Sequence, residues 1–570
     1  MLLILLGFLI WTSALIGLGL LARPWLGRRL ADLGDLPIAF WFGWALSILL
    51  LQLVNFVLPL RPWGTLIILA LGALGLTLHR REVIALFARQ RRPPVVVLIV
   101  IAAFATFIAL RSATPLIEGD SGEYHLASVA WTAGHPLVRG LGNLMPRLAF
   151  NQSFFLYAAM LDVGPFLGNS YQLANGLLLL SVVTLGVLSL RQLFSAPREE
   201  TPRLLFYALM LAPALHQMND ERFFSLSPDT APFFLGIVVL GEILGSLFRE
   251  EQPAQARDVV AITLLCVVGV ACKQSFLVFA LGAATVIWVA WLRGGRLAER
   301  AGAWRSVMPA LIITLLAGGA WVARGILLSG YPFFPVTALP LPLEWRVPPS
   351  MARAELEWIV TRARNPGVAL DQIVPGAAWL AGWLRSLPNS IVKPAELSAA
   401  LLLFSLVLWP GRSGSQRGAG RLLALAVVPL LSIAYWLFTA PSPRFAGSAF
   451  WALLAVLILA FAYLMGLHNG ENGPATLVGI ALVFFMWVAP LAPWKLSLSA
   501  RTLLDARREA HIPSYTSHVT QSGLSVNVPT SEDECWDTPL PCTTHFSDRL
   551  ALLEPGRLAG GFRMLPEAAP

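Results

Sequence analysis

Long apolar runs recur along the whole chain and limit its fold more than any other feature of the sequence. Runs of about twenty residues with few charges are long enough to cross the hydrocarbon core of a bilayer as helices. Only 13% of the 570 residues are charged, and 56% are hydrophobic. A soluble protein of this length carries roughly 25% charged residues. The sequence therefore predicts an all-α polytopic membrane protein with about 14 transmembrane helices.

The apolar runs and the loops between them divide the chain into membrane-spanning groups and extramembrane segments. The first run has no basic segment before it and no small-residue cleavage site after it, so we interpret it as a retained span and not as a signal peptide. We expect transmembrane helices in 1–112, 171–327 and 395–492, a first large loop with juxtamembrane helices in 113–170, a long loop in 328–394 and a small tail in 493–570. The individual spans are predicted at about 2–22, 36–58, 63–79, 94–111, 171–193, 203–218, 230–248, 258–272, 275–292, 304–327, 395–410, 421–439, 445–466 and 474–492.

The placement of arginine residues predicts how the spans are oriented. Arginines are concentrated after the first and third spans, in segments 23–29 and 80–92. Because cytoplasmic loops carry an excess of Lys and Arg, we expect these segments in the cytoplasm and both chain ends on the opposite side. The net charge of +9 is accounted for by such loops. Nucleic-acid binding is not expected, since no basic patch alternates with exposed aromatic residues.

The segment 117–155 is a polar island between apolar runs, and the orientation places it on the outer face. It contains the sequence GDSGEYH, with Asp120, Glu123, Tyr124 and His125 close together. A carboxylate or an imidazole beside a bilayer costs desolvation free energy unless it meets a partner, a substrate or water. A carboxylate held among apolar walls can have its pKa raised towards use as a general base. Asp120, Glu123 and His125 are therefore the candidate catalytic residues.

Further polar residues fall at span ends on the same predicted side of the membrane. Carboxylates and cations at a bilayer boundary suit a substrate with an anionic head and a lipid tail. Arginine offers a two-pronged donor to phosphate oxygens, and lysine offers a point charge. The candidate substrate-binding residues are Tyr124, Asp220, Glu221, Asp229, Lys273, Arg324, Tyr331 and Arg444.

Several of these residues have a simpler structural interpretation that the sequence leaves open. Asp120 precedes a helical segment that begins at Ser121, and Asp229 begins a span, so either residue can be a helix N-cap. Arg444 can extend its head group to the membrane interface without binding anything. Lys273 is harder to explain in this way, because two short apolar runs bury it unless an anion is near.

The tail resembles a small extracytoplasmic unit with its own short elements. The alternation in GLSVNVP predicts a strand. The motif CWDTPLPC contains Cys535 and Cys542. Because the predicted orientation places the tail outside the cytoplasm, in an oxidising compartment, a disulfide between them is expected over two free thiols. Cys266 and Cys272 lie in an apolar run and are interpreted as inert packing residues. No metal site is predicted from cysteine and histidine spacing, and no P-loop, dinucleotide-binding or G-x-S-x-G motif is present.

The motifs GDSGEYH and ACKQS, together with the long later outer loop, resemble the GT-C glycosyltransferases. More closely, YHLASVAW, GLGNLMPRLAFNQSFF, SPDTAPFF, SGYPFFP, LEWRVP, APSPRFAG and CWDTPLPC resemble a group of uncharacterised bacterial multi-pass inner-membrane proteins allied to that clan. The resemblance covers residues from about 117 onwards. It implies a GT-C-like helical fold in the bacterial inner membrane, with an active site that faces the periplasm.

The resemblance also implies an activity and roles for individual residues. GT-C enzymes use polyprenyl-phosphate sugar donors, and Asp120 matches the acidic residue expected to deprotonate the acceptor, which can be a glycan, a lipid or a protein. Lys273, Arg324 and Arg444 match the cations expected to hold the lipid phosphate. No cofactor is predicted, but the paired acidic motif of these enzymes is replaced here by Glu118 or Glu123 beside Asp120, so a divalent metal stays possible.

The sequence therefore predicts an integral membrane glycosyltransferase that acts by inversion on the periplasmic side. A transporter or flippase for a lipid-linked glycan is the alternative, and it would need charged residues along a path through the bilayer. A non-catalytic envelope protein with the same fold is the third possibility.

Overall fold

The structure is a computed structural model, and its described part is predominantly helical, with four short strands near the C-terminal end. It describes residues 1–26, 30–89, 95–195, 197–249, 254–294, 300–369, 372–373, 376–408, 416–467 and 508–566, with isolated residues between 473 and 483. The helices of the first half are α1 (Leu2–Leu26), α2 (Asp35–Asn55), α3 (Leu60–Ala88), α4 (Val95–Ser112), α5 (Leu126–Gly134), α6 (Phe154–Leu161), α7 (Tyr171–Gln192), α8 (Thr201–His216), α9 (Thr230–Leu247) and α10 (Ala256–Cys272). The later helices are α11 (Leu277–Gly294), α12 (Arg300–Ile313), α13 (Gly319–Ser329), α14 (Pro349–Arg364), α15 (Trp379–Ser386), α16 (Asn389–Leu408), α17 (Gln416–Phe438) and α18 (Ala449–Leu464).

Ten helices in the described part are long and apolar enough to cross a membrane by length and composition. They correspond to ten of the predicted spans. Three further predicted spans coincide with α8, α10 and α18, which are 16, 17 and 16 residues long. Most of the last predicted span, 474–492, falls outside the described residues, so the total of about 14 spans stays a prediction.

Small residues allow the N-terminal helices to pack with their backbones in close contact. A Cβ atom on Gly19 of α1 would lie 1.9 Å from the carbonyl oxygen of Ala39, and one on Gly43 of α2 would lie 1.8 Å from that of Leu15. Helices in lipid gain no hydrophobic free energy from meeting each other, so close van der Waals contact between small residues stabilises their pairing. The α1 helix therefore packs tightly against α2, and it packs against α3 in the same way.

The tail forms two small antiparallel sheets outside the helical bundle. Strand β1 (Tyr515–Val519) pairs with β2 (Ser525–Pro529), and β3 (Leu550–Leu552) pairs with β4 (Phe562–Met564). The β2 strand occupies the place that the GLSVNVP motif predicts. Cys535 and Cys542 are joined by a disulfide bond with an S–S distance of 2.03 Å.

The tail lies on the segment 117–155 that follows α4, which we call the polar loop. The Phe562 N–H donates to the carbonyl of Arg139 at 2.9 Å, and the Thr543 hydroxyl donates to the carbonyl of Leu144 at 2.8 Å. The backbone N–H of Trp536 donates to the carbonyl of Gly122 at 2.8 Å. Segments more than 380 residues apart in sequence thus form one surface beside the candidate catalytic residues.

Candidate functional site

A cavity of about 570 Å³ lies where several helix ends meet, and it collects most of the predicted site residues. It is bounded by the segment after α4, the start of α9, the α10–α11 junction, helix α14 and the α17–α18 junction. Asp120, Glu123, Tyr124, His125, Asp229, Lys273 and Arg444 all line it.

Asp120 and Arg444 form an ion pair at the centre of the cavity wall. Arg444 Nη1 donates to Asp120 Oδ2 at 2.5 Å, across 324 positions of sequence. Asp120 occupies an N-cap position, but its side chain makes no capping hydrogen bond. Its carboxylate is therefore used for the ion pair and not for the helix end.

A second ion pair extends this arrangement towards the α10–α11 junction. Lys273 Nζ donates to Asp229 Oδ1, and Arg444 Nε lies 3.8 Å from Asp229 Oδ2. The Phe445 ring lies beneath both cations, with Lys273 Nζ 4.5 Å and Arg444 Cζ 5.0 Å from its centroid. The anion that Lys273 needs at this depth is Asp229, which makes no side-chain capping bond to α9.

Arg147 organises the opposite end of the same wall. Its guanidinium pairs with Glu123 and, through Nε at 3.1 Å, with Glu355 of α14. It also lies 3.8 Å from Asp120. The ion pairs thus form one continuous network that branches at Arg147, and we call it the charged wall. Its members are Glu355, Arg147, Glu123, Asp120, Arg444, Asp229 and Lys273.

The two central carboxylates of the charged wall have opposite electrostatic surroundings. Burial raises the pKa of Asp120, but the charges of Arg444, His125 and Arg147 outweigh it and lower the pKa to about 2. Burial also raises the pKa of Glu123, and the charges of Asp120 and other carboxylates add to it against Arg147, so the pKa rises to about 7. Asp120 is held ionised, whereas Glu123 can exchange a proton near neutral pH.

His125 is fixed behind the charged wall by the first residues of the polar loop. Its Nδ1 lies 3.4 Å from Glu118 Oε2 and 3.2 Å from Ser121 Oγ, and Ser121 donates to Glu118 at 2.7 Å. Only 1% of His125 is exposed to solvent, and its Nε2 has no hydrogen-bond partner among the described residues. Glu118 therefore orients the imidazole, as a carboxylate orients a histidine in many polar sites.

The remaining wall of the cavity is aromatic and aliphatic. Helix α14 contributes Trp358 and Ile359, and α17 contributes Tyr435 and Trp436. The cavity therefore offers charged groups on one side and an apolar surface on the other. This arrangement matches an amphiphilic ligand with an ionic head.

No three His, Cys, Asp or Glu side chains in the described part of the chain are grouped so that they could hold a metal ion. The sequence of residues 1–451 matches the family model described as a domain of unknown function, DUF8201. The chain belongs to this family. No curated protein and no solved structure matches it. The DUF8201 region contains every member of the charged wall, whereas the tail that contacts Gly122 lies beyond it.

Four predicted substrate-binding residues do not contribute a described side chain to the large cavity of this DUF8201 protein. Arg324 lies on α13 and donates to Asn55 Oδ1 at 3.0 Å, beside a separate small cavity. Tyr331 is fully buried, and its hydroxyl donates to the carbonyl of Val347, so this side chain is part of the packed interior. Asp220 pairs with Arg222 on an exposed turn, so its charge is satisfied locally. The Glu221 side chain lies outside the described residues.

Sequence reasoning missed three members of this neighbourhood. Arg147 belongs to the polar island but carries no motif of its own, and Glu355 lies on an amphipathic helix in a distant loop. Trp536 reaches Gly122 from the tail. The even mixture of acidic and basic residues in 117–155 was the one signal that could have indicated Arg147 as a counter-ion.

Proposed function

We propose that the protein transfers a sugar from a polyprenyl-phosphate donor to an acceptor on the extracytoplasmic side of the bacterial inner membrane. The observation that carries the proposal is the two-sided cavity of about 570 Å³ at the ends of apolar helices. Its charged wall suits a sugar phosphate, and its aromatic wall suits the first part of a lipid chain. The resemblance of GDSGEYH and ACKQS to GT-C glycosyltransferases supports the same reaction.

The phosphate of the donor binds beside Arg444 and Lys273. Arginine and lysine hold phosphate oxygens with charge-assisted hydrogen bonds, and both side chains line the cavity. Asp120 and Asp229 keep the two cations in place before the donor arrives. As the lipid phosphate departs, the fixed cations stabilise its growing negative charge, an effect worth a few kcal/mol in a site of this kind.

Glu123 receives the proton of the acceptor. The acceptor oxygen attacks the anomeric carbon from the side opposite the phosphate, a new C–O bond forms, and the bond from that carbon to the phosphate oxygen breaks. The proton of the acceptor hydroxyl passes to Glu123, and the bonding electrons leave with the lipid phosphate. A general base works best with a pKa near the working pH, so a carboxyl with a pKa of about 7 is better suited than Asp120 at about 2.

The test supplies purified protein in nanodiscs with radiolabelled polyprenyl-phosphate sugars and an envelope extract as the source of acceptor. We expect label to leave the lipid fraction while free polyprenyl phosphate accumulates. The Glu357→Gln variant changes an exposed glutamate of α14 and is expected to behave as wild type.

Two results would overturn the proposal. In the first, no labelled donor yields lipid phosphate although the protein is folded and binds the donor. In the second, intact labelled donor crosses the bilayer of proteoliposomes without release of lipid phosphate, and the protein is then a transporter.

A further inference from the structure

Arg324 is a buried charge for which the described chain provides no counter-ion. It lies in the apolar helical segment Trp304–Ser329, and only 5% of it is exposed. No carboxylate of the described residues lies within ion-pair distance of it, and its side chain donates to the neutral amide oxygen of Asn55 at 3.0 Å. A guanidinium does not lose its proton in proteins, and burying it without a compensating anion is strongly unfavourable.

Asn55 is held in an orientation that cannot be reversed to relieve this charge. Its side-chain amide group lies within hydrogen-bond distance of three carbonyl oxygens, those of Leu58, Thr132 and His135. Its oxygen is thus left to face Arg324. The Phe56 ring adds a weak cation–π contact with its centroid 6.0 Å from Arg324 Cζ. Neither group carries a negative charge.

A cavity of about 40 Å³ adjoins Arg324 and brings a second unpaired donor to the same place. Trp131 lines it and is 2% exposed, and its indole Nε1 has no acceptor among the described residues. Arg324 Nε is unpartnered in the same sense. Arginine and tryptophan side chains can only donate hydrogen bonds, so the residues that line the cavity carry two buried unpartnered donors and a full positive charge.

The cavity also presents two acceptors. Asn151 and Gln152 line it, and Asn151 Oδ1 and Gln152 Oε1 have no hydrogen-bond partner in the described part of the chain. The orientation of Asn151 is fixed, since its amide nitrogen donates to the carbonyl of Trp321 at 2.6 Å. A volume of about 40 Å³ holds roughly two or three species of the size of water.

We propose that this cavity binds a small inorganic anion of the size of chloride, accompanied by water. The anion accepts from Arg324 and Trp131 and neutralises the guanidinium, while a water molecule donates to Asn151 and Gln152. The site is separate from the large cavity of about 570 Å³ that holds the charged wall, although Arg147, Phe150 and Gln152 line both. Chloride binding thereby fixes α13 against the α2 end and the polar loop.

The test measures thermal unfolding of the full chain in detergent without any donor or acceptor. Sodium chloride replaces sodium gluconate at constant ionic strength, so that general screening stays the same. We expect the Tm to rise by roughly 2–4 °C over the titration, with the logarithm of the chloride concentration once that concentration exceeds the Kd, because an anion that binds only the folded state stabilises it. Bromide is expected to act similarly, and chloride-35 NMR line broadening should report the binding directly.

Three variants locate the effect. Arg324→Gln should abolish the chloride dependence, and Trp131→Phe, which keeps most of the ring but removes the donor, should shift the rise in Tm to a several-fold higher chloride concentration. Arg557→Gln changes an arginine whose side chain is 69% exposed and should leave the curve unchanged. If Arg324→Gln fails to fold, the wild-type titration and Trp131→Phe still decide the question.

Equal Tm values in chloride and gluconate over the whole titration, without NMR broadening, would overturn the inference. So would a chloride-specific rise in Tm that Arg324→Gln and Trp131→Phe leave intact. Because no sugar donor is present, either result is independent of the proposed transfer reaction.

Discussion

At the scale of single residues, the question is which carboxylate of the polar loop accepts a proton. The sequence favours Asp120, through its resemblance to GT-C enzymes. The electrostatics favour Glu123, since Arg444 holds Asp120 ionised while burial, together with neighbouring carboxylates, keeps the pKa of Glu123 near 7. Asp120 is then a positioning residue for the cation that holds phosphate.

Glu123→Gln is expected to lower the rate of sugar transfer by a factor on the order of 10²–10⁴, as for loss of a general base. The wild-type rate should rise as the pH increases through about 7, because Glu123 must be deprotonated to act. In the variant this rise should disappear. The measurement is the initial rate of lipid-phosphate release between pH 5 and pH 9.

Asp120→Asn is the matched comparison, and its expected effect is on donor binding. Asparagine cannot pair with Arg444 as an anion, so we expect the KM for the donor to rise about tenfold while the turnover rate stays within a few-fold of wild type. A different outcome would assign the base to Asp120 instead. In that outcome Asp120→Asn slows turnover by a factor on the order of 10² or more, and the wild-type rate is flat through neutral pH.

At the scale of elements, the short helical turn Ser121–His125 is fixed by contacts from both sides. The charged wall holds Glu123 from one side, and the indole of Trp536 covers Gly122 from the other. A Cβ atom on Gly122 would lie 2.4 Å from Trp536 Cε2, so a glycine is required here for close approach. The tail therefore helps to position the turn that carries the candidate base.

Gly122→Ala is expected to destabilise the protein by about 1–3 kcal/mol through overpacking and to reduce transfer. Adding Trp536→Ala to Gly122→Ala should recover part of the Tm, because it removes the clashing ring. The control is Gly134→Ala, since a Cβ atom there meets no atom within 4 Å. A Gly122→Ala protein with unchanged Tm and rate would show that the tail does not position the turn.

At the scale of the whole molecule, the side of the membrane that holds the cavity decides which substrates reach it. The basic loops predict that both chain ends and the segment 117–155 are extracytoplasmic. The contacts between the tail and the polar loop place these two parts on one side of the bundle, which agrees with that orientation.

A reporter that is active only outside the cytoplasm, fused after Pro570, is therefore expected to give high activity. A reporter inserted between Arg80 and Arg92 should give low activity, because that basic loop is expected inside. High activity of the second fusion and low activity of the first would show the opposite orientation. The cavity would then face the cytoplasm, which contradicts the proposal that the protein uses a donor on the periplasmic side.

The sequence alone determined the helical membrane class, most helix boundaries and the location of a polar site. Apolar runs and basic loops are local patterns, and the bilayer acts on them residue by residue, so they can be interpreted without knowledge of contacts. The candidate residues Asp120 and Glu123 were found because polar groups stand out in an apolar segment.

Only the tertiary structure decided which of these residues act together. Arg444 meets Asp120 across 324 positions, and Arg147 meets Glu355 across 208, while Arg324 lies beside a different cavity from Lys273. Helix packing in lipid depends on side-chain fit between distant segments, and electrostatic pairing follows from that packing. The charge of each residue is written in the sequence, but its partner, and hence its pKa and role, depends on which helix ends meet.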